Sequence, residues 1–282
     1  MKIVYTVQAL REEVKRAKKE GKSVGLVPTM GFLHEGHVSL MNAAREQTDF
    51  VVVSIFVNPT QFGPNEDLES YPRDFERDSR RCEDASVDII FHPSVEEMYK
   101  GRYSTYVTCE GEITKVLCGA SRPEHFKGVT SVVAKLFNMV APNKAFFGQK
   151  DAQQVAVIEK MVRELDFDLE IVPCPIVREV DGLALSSRNT YLSDTERKEA
   201  LVLSNALKHA EMRILDGERN AERIISEMRA IIESAPSAEI DYVEIVSAQT
   251  LESVKELSGD TLIAMAVKIG KPRLIDNLRI MI

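Results

Sequence analysis

Phe50-Val51-Val52-Val53-Ser54-Ile55-Phe56-Val57, closed by Asn58 and Pro59, is eight residues of β-branched and aromatic character with no polar alternation. A strand with one wet face alternates apolar and polar side chains, whereas a strand covered on both faces reads as a continuous apolar run. The stretch therefore predicts a central strand of a parallel sheet, with Asn58 and Pro59 ending it. Residues 87–91 repeat the pattern and stop at His92 and Pro93.

The chain on either side fits the same architecture. Upstream, residues 6–19 predict a helix with Leu10 and Val14 one turn apart, Thr6 as its cap and Gly21 where a left-handed residue would end it. Residues 23–28 form a short apolar run, followed by a Thr29-Met30-Gly31 turn and a helical segment at 36–47. Downstream, residues 130–140 read as an apolar helix. Residues 144–147 read as a strand entering Gly148 and a helix over 151–165, whose Val155, Ile158, Val162 and Leu165 share a face. Residues 169–172 give another strand. Strands alternating with helices imply βαβ units, hence an α/β fold with a Rossmann-like parallel sheet and helices on both faces.

After Pro175 the order changes. Ser193 and Glu196 fit a capping box opening a long helix to Leu215, and a second helix covers 221–234. Strands at 240–246, 261–269 and 273–280 follow. The chain thus divides into a sheet domain, 1–176, and a smaller α+β C-terminal domain, 177–282, expected to close over the site.

The 282 residues are 44% hydrophobic and 28% charged, a composition that sets aside collagen-like and disordered chains. The net charge of −8 offers no general attraction to nucleic acid or an anionic membrane, so any anion must be bound locally. No apolar run approaches the roughly 20 residues of a membrane span, and the expectation is a cytoplasmic protein without a signal peptide. The four cysteines, Cys82, Cys109, Cys118 and Cys174, show neither CxxC pairing nor metal spacing, so reduced thiols are expected.

Ligands of an open parallel sheet bind beyond the carboxyl ends of its strands. Four such ends are unusually polar. The first carries His34-Glu35-Gly36-His37, two imidazoles three residues apart at a helix start, flanked by Gly31 and Gly36; the spacing is wrong for an HExxH zinc site. The second, Asn58-Pro59-Thr60-Gln61, sets two amides on a loop stiffened by proline, which suits a small carboxylate or neutral substrate. The third, Gly148-Gln149-Lys150-Asp151, places a cation and backbone N–H groups at a strand-to-helix junction. The fourth, Leu185-Ser186-Ser187-Arg188-Asn189, follows an Asp181-Gly182 turn and offers hydroxyls and a guanidinium to a polyphosphate. Each also has a plain reading: capping or surface histidines, a polar turn, a capping box between Asp151 and Gln154, a solvated serine turn. No Walker or GxGxxG fingerprint is present, which disfavours kinases and dinucleotide dehydrogenases.

Taken together, PTMGFLHEGH, FVNPTQFGPNED, GQKDAQQ and DGLALSSRN, with RLIDN near the C-terminus, closely resemble the pantothenate synthetases, or pantoate–beta-alanine ligases, of the HxGH nucleotidyltransferase superfamily. The resemblance implies an AMP-forming ligase that makes pantoyl adenylate from pantoate and ATP and passes the acyl group to beta-alanine. Carried over by position, Met30, Gly31, Phe32, Leu33, His34, Glu35, Gly36 and His37 contact ATP, with His37 donating a proton to the departing phosphate and His34 beside it. Gly148, Gln149, Lys150, Asp151, Val177, Leu185, Ser186, Ser187 and Arg188 complete the nucleotide site, with Lys150 and Arg188 among the catalytic groups. Gln61 holds pantoate and borders the beta-alanine position, and Gln154 holds pantoate. Mg²⁺ is implied through the nucleotide phosphates, with no protein metal site, and a homodimer is implied without nucleic-acid or membrane partners. Glu124 stands where the family commonly has a small residue, so the approach of Arg122 and His125 to the site is a point for the structure. The competing readings are a related HxGH nucleotidyltransferase acting on a phosphorylated small molecule, which Gln61 and Gln154 disfavour, and an RNA-binding module, which the net charge disfavours.

Overall fold

Burial explains the apolar run. In the computed structural model Val51, Val53 and Ile55 pack with Val27, Leu40 and Met41 in one cluster, while Val52 on the opposite face is equally sealed from solvent. The model describes residues 1–64 and 66–282; Asn65, within the FVNPTQFGPNED stretch, lies outside the described residues.

In chain order the elements are β1 (Lys2–Val4), α1 (Val7–Lys19), β2 (Val24–Thr29), α2 (Glu35–Gln47), β3 (Phe50–Ile55), α3 (Phe75–Asp84), β4 (Ile89–Phe91), α4 (Val95–Met98), α5 (Cys118–Ser121) and α6 (His125–Val140). They continue with β5 (Lys144–Gly148), α7 (Ala152–Glu164), β6 (Glu170–Cys174), α8 (Asp194–Glu199), α9 (Leu201–Leu215), α10 (Ala221–Ile232), β7 (Ala238–Ser247), β8 (Asp260–Ile269) and β9 (Arg273–Met281). The chain forms two compact units. The first comprises Met1–Cys109, Arg122–Gln149 and Val157–Pro175; the second comprises Glu110–Ser121, Lys150–Ala156 and Ile176–Ile282.

The first unit is built on a six-stranded sheet in the order β1-β4-β3-β2-β5-β6, parallel throughout. The chain leaves β2 toward β3 and β4 on one side and later returns to β5 and β6 on the other. The topological switch point, where such sheets bind ligands, therefore lies between the ends of β2 and β5. Packing of α2 on β2 and β3, and of α1 and α6 on β2, covers the sheet with helices.

The second unit centres on an antiparallel sheet, β7-β8-β9. Leu203, Leu207, Ala210 and Ile214 of α9 and Ile224, Met228 and Ile232 of α10 pack on Val243, Ile245, Ile263, Met265 and Val267. Buried Gln153 ties this unit's two early segments to each other. Its Nε2 donates to the carbonyls of Ile113 (2.9 Å) and Val116 (2.7 Å), and its Oε1 accepts the Cys118 N–H (2.9 Å).

Several elements differ from their sequence reading. The helix expected from 193 to 215 is two helices, broken at Ala200, although its Ser193–Glu196 capping box is present. Helix α6 begins at His125, ahead of the apolar stretch. Helix α3 has no counterpart in the sequence reading because its sequence, FERDSRRCED, is mostly charged; it starts on the Asp74 cap, whose Oδ1 accepts the Arg77 N–H at 3.1 Å. Strand β1 has only three residues, too few to show a period.

Phe146 on β5 is fully buried in the cluster that supports the switch point. Phe146→Ala should cost about 3–5 kcal/mol, the usual range for truncating a core aromatic, read as a lowered midpoint of urea unfolding.

Candidate active site

The end of β2 is shaped by a carboxylate reaching across from α3. After Thr29 the backbone turns through the left-handed region at Gly31 (φ 85°) and Phe32 (φ 50°). A Cβ on Gly31 would stand 3.0 Å from Asp78 Oδ2 and 3.1 Å from Ile55 Cγ2, so glycine serves both the φ and the close approach. Asp78, almost fully buried, accepts the N–H groups of Phe32 and Leu33, each at 2.7 Å. Burial pushes its carboxyl above the ordinary aspartate value, and the two N–H bonds oppose that rise. The neighbouring Arg77 donates to the Leu33 carbonyl at 2.7 Å and stacks its guanidinium 4.4 Å from the Phe32 ring centre. The loop is thus held by both its N–H and C=O groups.

That loop delivers His34 to the N-cap of α2. His34 Nδ1 accepts the Gly36 N–H (3.2 Å) and His37 Nδ1 accepts the His34 N–H (3.3 Å), a capping box made of two imidazoles whose ring centres lie 4.2 Å apart. An Nδ1 that accepts a main-chain N–H leaves the neutral ring protonated at Nε2. Each ring is therefore fixed in the tautomer that presents an Nε2–H donor at the positive end of the α2 dipole. The capping reading and the ligand reading fall on different nitrogens of the same rings. Glu35 is exposed and its carboxylate pairs with Arg81 at 2.6 Å.

The end of β3 carries Asn58, almost wholly buried. Its Oδ1 accepts from Tyr99 Oη (2.6 Å), Thr60 Oγ1 (2.9 Å) and the Thr60 N–H (3.3 Å), and its Nδ2 donates to Gln61 Oε1 (3.1 Å) and the Gly128 carbonyl (3.2 Å). The Gln61 amide is oriented from its oxygen side, and its Nε2 lies 3.3 Å from Met30 Sδ. Gln61 is thereby brought beside the end of the β2 loop. Helix α6 closes tightly on this turn: a Cβ on Gly128 would meet the Thr60 carbonyl oxygen at 2.4 Å. A glycine inside an apolar helix costs about 1 kcal/mol against alanine, a sequence signal of this contact.

Arg122 and His125 do reach this region. His125 Nδ1 donates to the Gln61 carbonyl (2.9 Å), its Nε2 accepts from Arg122 (3.1 Å), and Arg122 also donates to the Gln61 carbonyl (3.3 Å). Glu124 does not displace them; its side chain is exposed and pairs with Lys127 at 3.2 Å.

Gly148 and Gln149 lie at the end of β5, beside β2 in the sheet. In the second unit, Lys150 and Asp151 follow in a 3-10 turn that leads into α7, with Gln154 half-buried within that helix. Val177 and Leu185 pair across a hairpin, the Leu185 N–H donating to the Val177 carbonyl at 3.0 Å, with Gly182 at φ 100° in its turn. Ser186 then caps a short 3-10 turn, its Oγ accepting the Arg188 N–H at 3.3 Å. Lys150 and Ser186 line one small cleft, with Ala184, Asn189 and Asp276. Asp78, Arg77, Tyr99 and Gly128 escape a reading of the sequence, since none follows a strand.

The family model described as pantoate-beta-alanine ligase matches residues 2–279. This chain belongs to the pantoate–beta-alanine ligase family. It is a ligase by that membership. Pantothenate synthetase of Acetivibrio thermocellus is 57% identical over 278 residues, 99% of each chain. That of Thermotoga petrophila is 56% identical over 98% of this chain and 99% of its own. The crystal structure of pantothenate synthetase from Thermus thermophilus superposes with a TM-score of 0.94 at 45% identity, covering 99% of both chains. The pantoate-beta-alanine ligase of Francisella tularensis, complexed with beta-gamma ATP and beta-alanine, gives 0.81 at 34% identity over 99% of this chain and 97% of its own.

The ligase-family turn after β3 carries a pH signature. Burial works against the Glu66 charge, but the Arg122 hydrogen bond and charge, with the Gly63 backbone, outweigh it and hold the carboxyl below 4.5. A lowered carboxyl pKa stabilises the fold above the unfolded value, and that contribution disappears as pH falls through the folded one. The melting temperature of the parent should therefore fall more steeply below about pH 4.5 than that of Glu66→Gln. Thermal unfolding from pH 7 to pH 3 checks this, and superimposable profiles would refute it.

Proposed function

We propose that this chain condenses pantoate with beta-alanine in two steps, through pantoyl adenylate, with ATP as the activating substrate. The observation that carries the reading is the pair of Nε2–H donors at the start of α2, on the loop that leaves β2 at Met30, against which the oriented Gln61 amide lies. The relative complexed with beta-gamma ATP and beta-alanine supports the same choice of ligands. In the first step a pantoate carboxylate oxygen attacks the α-phosphorus, and the bond from that phosphorus to the bridging oxygen breaks to release pyrophosphate. In the second the amine of beta-alanine attacks the acyl carbon, AMP leaves with the carboxyl oxygen, and the nitrogen loses a proton. A carboxylate has no usable leaving group of its own, and adenylation supplies one.

The residue roles proposed are those that the family resemblance implies. His37 donates through Nε2–H to the departing phosphate and His34 hydrogen-bonds beside it. Met30 through His37, Gly148 through Asp151, Val177 and Leu185 through Arg188 contact the nucleotide, with Lys150 and Arg188 as cations on its phosphates. Charge grows on the leaving oxygens in the transition state, and fixed donors stabilise it without a covalent enzyme intermediate. Gln61 holds pantoate and borders beta-alanine; Gln154 holds pantoate. Residues 1–176 carry the bulk of the nucleotide and pantoate contacts, and 177–282 supply the serine–arginine loop. Mg²⁺ is proposed to enter with the nucleotide, bound through its phosphates. That cation would neutralise phosphate charge. A homodimer and a cytoplasmic location complete the reading. No helix among the described residues is long and apolar enough to cross a membrane.

With ATP, Mg²⁺ and pantoate the protein should release pyrophosphate, and AMP release should require beta-alanine; ADP as product would overturn the adenylate route. His37→Ala and Lys150→Ala should each lower adenylation by roughly 100- to 1000-fold, the scale for losing one transition-state donor. Their melting temperatures should move by only a few degrees, as for substitutions away from the core. Activity retained within about fivefold would remove these residues from the mechanism.

Gln61→Ala should weaken pantoate binding about tenfold or more while ATP binding stays within about twofold, since a lost hydrogen bond costs roughly 1–2 kcal/mol. Separate calorimetric titrations of the two ligands decide it, and equal losses would mean the turn acts only through general structure.

A further inference from the structure

The RLIDN stretch on β9 places two polar residues where a strand would ordinarily be apolar. Asp276 shares its strand phase with Leu274, Leu278 and Ile280, all part of or packed against the core of the second unit, yet it is 2% exposed. Asn277, next in sequence, points to the opposite face and is also buried. Desolvating a carboxylate is costly unless it is paired and hydrogen-bonded, so the partners at this position matter.

Each residue is tied to a different segment. Arg178 meets Asp276 as a two-pronged pair, Nη1 to Oδ2 at 2.6 Å and Nη2 to Oδ1 at 2.9 Å, and Nη1 also donates to the Gly182 carbonyl at 3.1 Å. This fastens the first arm and the turn of the 177–185 hairpin, which leads directly into Ser186 and Arg188. On the other face, Asn277 Nδ2 donates to the Lys150 carbonyl at 2.9 Å. The Asn277 N–H in turn donates to Asp276 Oδ1 at 2.8 Å, coupling the two anchors. Two adjacent residues of one strand thus hold the backbone at Lys150 and the hairpin that leads into the serine–arginine loop.

We infer that Asp276 and Asn277 are positioning residues for the adenylation step, fixing the two cation-bearing segments of the second unit through the Arg178 pair and the Lys150 carbonyl. The inference rests on the reading above that Lys150 and Arg188 act on the ATP phosphates. The strand fixes where the cations sit before charge develops, so its loss falls on kcat and leaves the pantoate contacts alone.

Asp276→Asn, Arg178→Lys and Asn277→Ala are compared with Arg279→Gln, a change at an exposed residue of the same strand that loses the pair with Asp260 of β8. Pantoate-dependent ATP–pyrophosphate exchange gives kcat and both KM values, and thermal unfolding reports the fold. The first three variants should lose about 10- to 100-fold in kcat, the scale of a small misplacement of catalytic groups, with pantoate KM within about twofold of the parent. Arg279→Gln should behave as the parent does. Arg178 is partly exposed, so Arg178→Lys with Asn277→Ala decides the matter if Asp276→Asn fails to fold. Variants within about threefold of the control in kcat, or losses that track melting temperature and pantoate KM together, would overturn the inference. Lys150→Ala and Arg188→Ala are run alongside. If they stay active, the phosphate reading fails and the inference with it. If they are inactive while the strand variants are not, the inference fails alone.

Discussion

The two hydrogen bonds that Asp78 accepts from the Phe32 and Leu33 N–H groups hold a backbone conformation on which the rest of the first unit's site depends. The left-handed turn at Gly31 and Phe32 is unfavourable for a residue with a side chain. It persists here because a buried carboxylate satisfies the N–H groups while Leu33 is sealed in the core and Arg77 takes its carbonyl. Those contacts set the angle at which the chain enters α2. From that angle follow the His34 cap, the reciprocal bond to His37, and the tautomer of both rings. A carboxylate on a neighbouring helix thus bears on which ring nitrogens carry the N–H.

A second consequence concerns charge. The chain is acidic overall, with a net charge of −8, yet its proposed anion-binding groups are cations and N–H donors. Several other acids are already neutralised by neighbours: Glu35 by Arg81, Glu66 by Arg122, Asp276 by Arg178. Local pairing removes these negative charges from the field a phosphate would meet, so the acidic surface and an anionic substrate are compatible. The Asn58 network follows the same logic with neutral groups. Burial raises the Tyr99 pKa to about 12, which keeps its hydroxyl a donor to Asn58 at neutral pH.

Sequence alone determined the parallel sheet, from continuous apolar runs that only two-sided burial explains, and the small C-terminal domain, from a change in element order. It also picked out the polar strand ends, because an α/β sheet leaves few other places for chemistry. These are properties of neighbouring residues, visible as period and composition. Tertiary structure decided what those residues could do. Asp78 is 45 positions from Leu33, and Arg178 is 98 from Asp276, so no local pattern links either pair. The charged α3 carried no apolar period to betray it, and Gln153, beside the residue singled out, proved to be the one joining the second unit's two early segments to each other. Short-range propensity sets which element forms. The orientation of a ring nitrogen or an amide depends on hydrogen bonds between distant residues, and those exist only once the chain has folded.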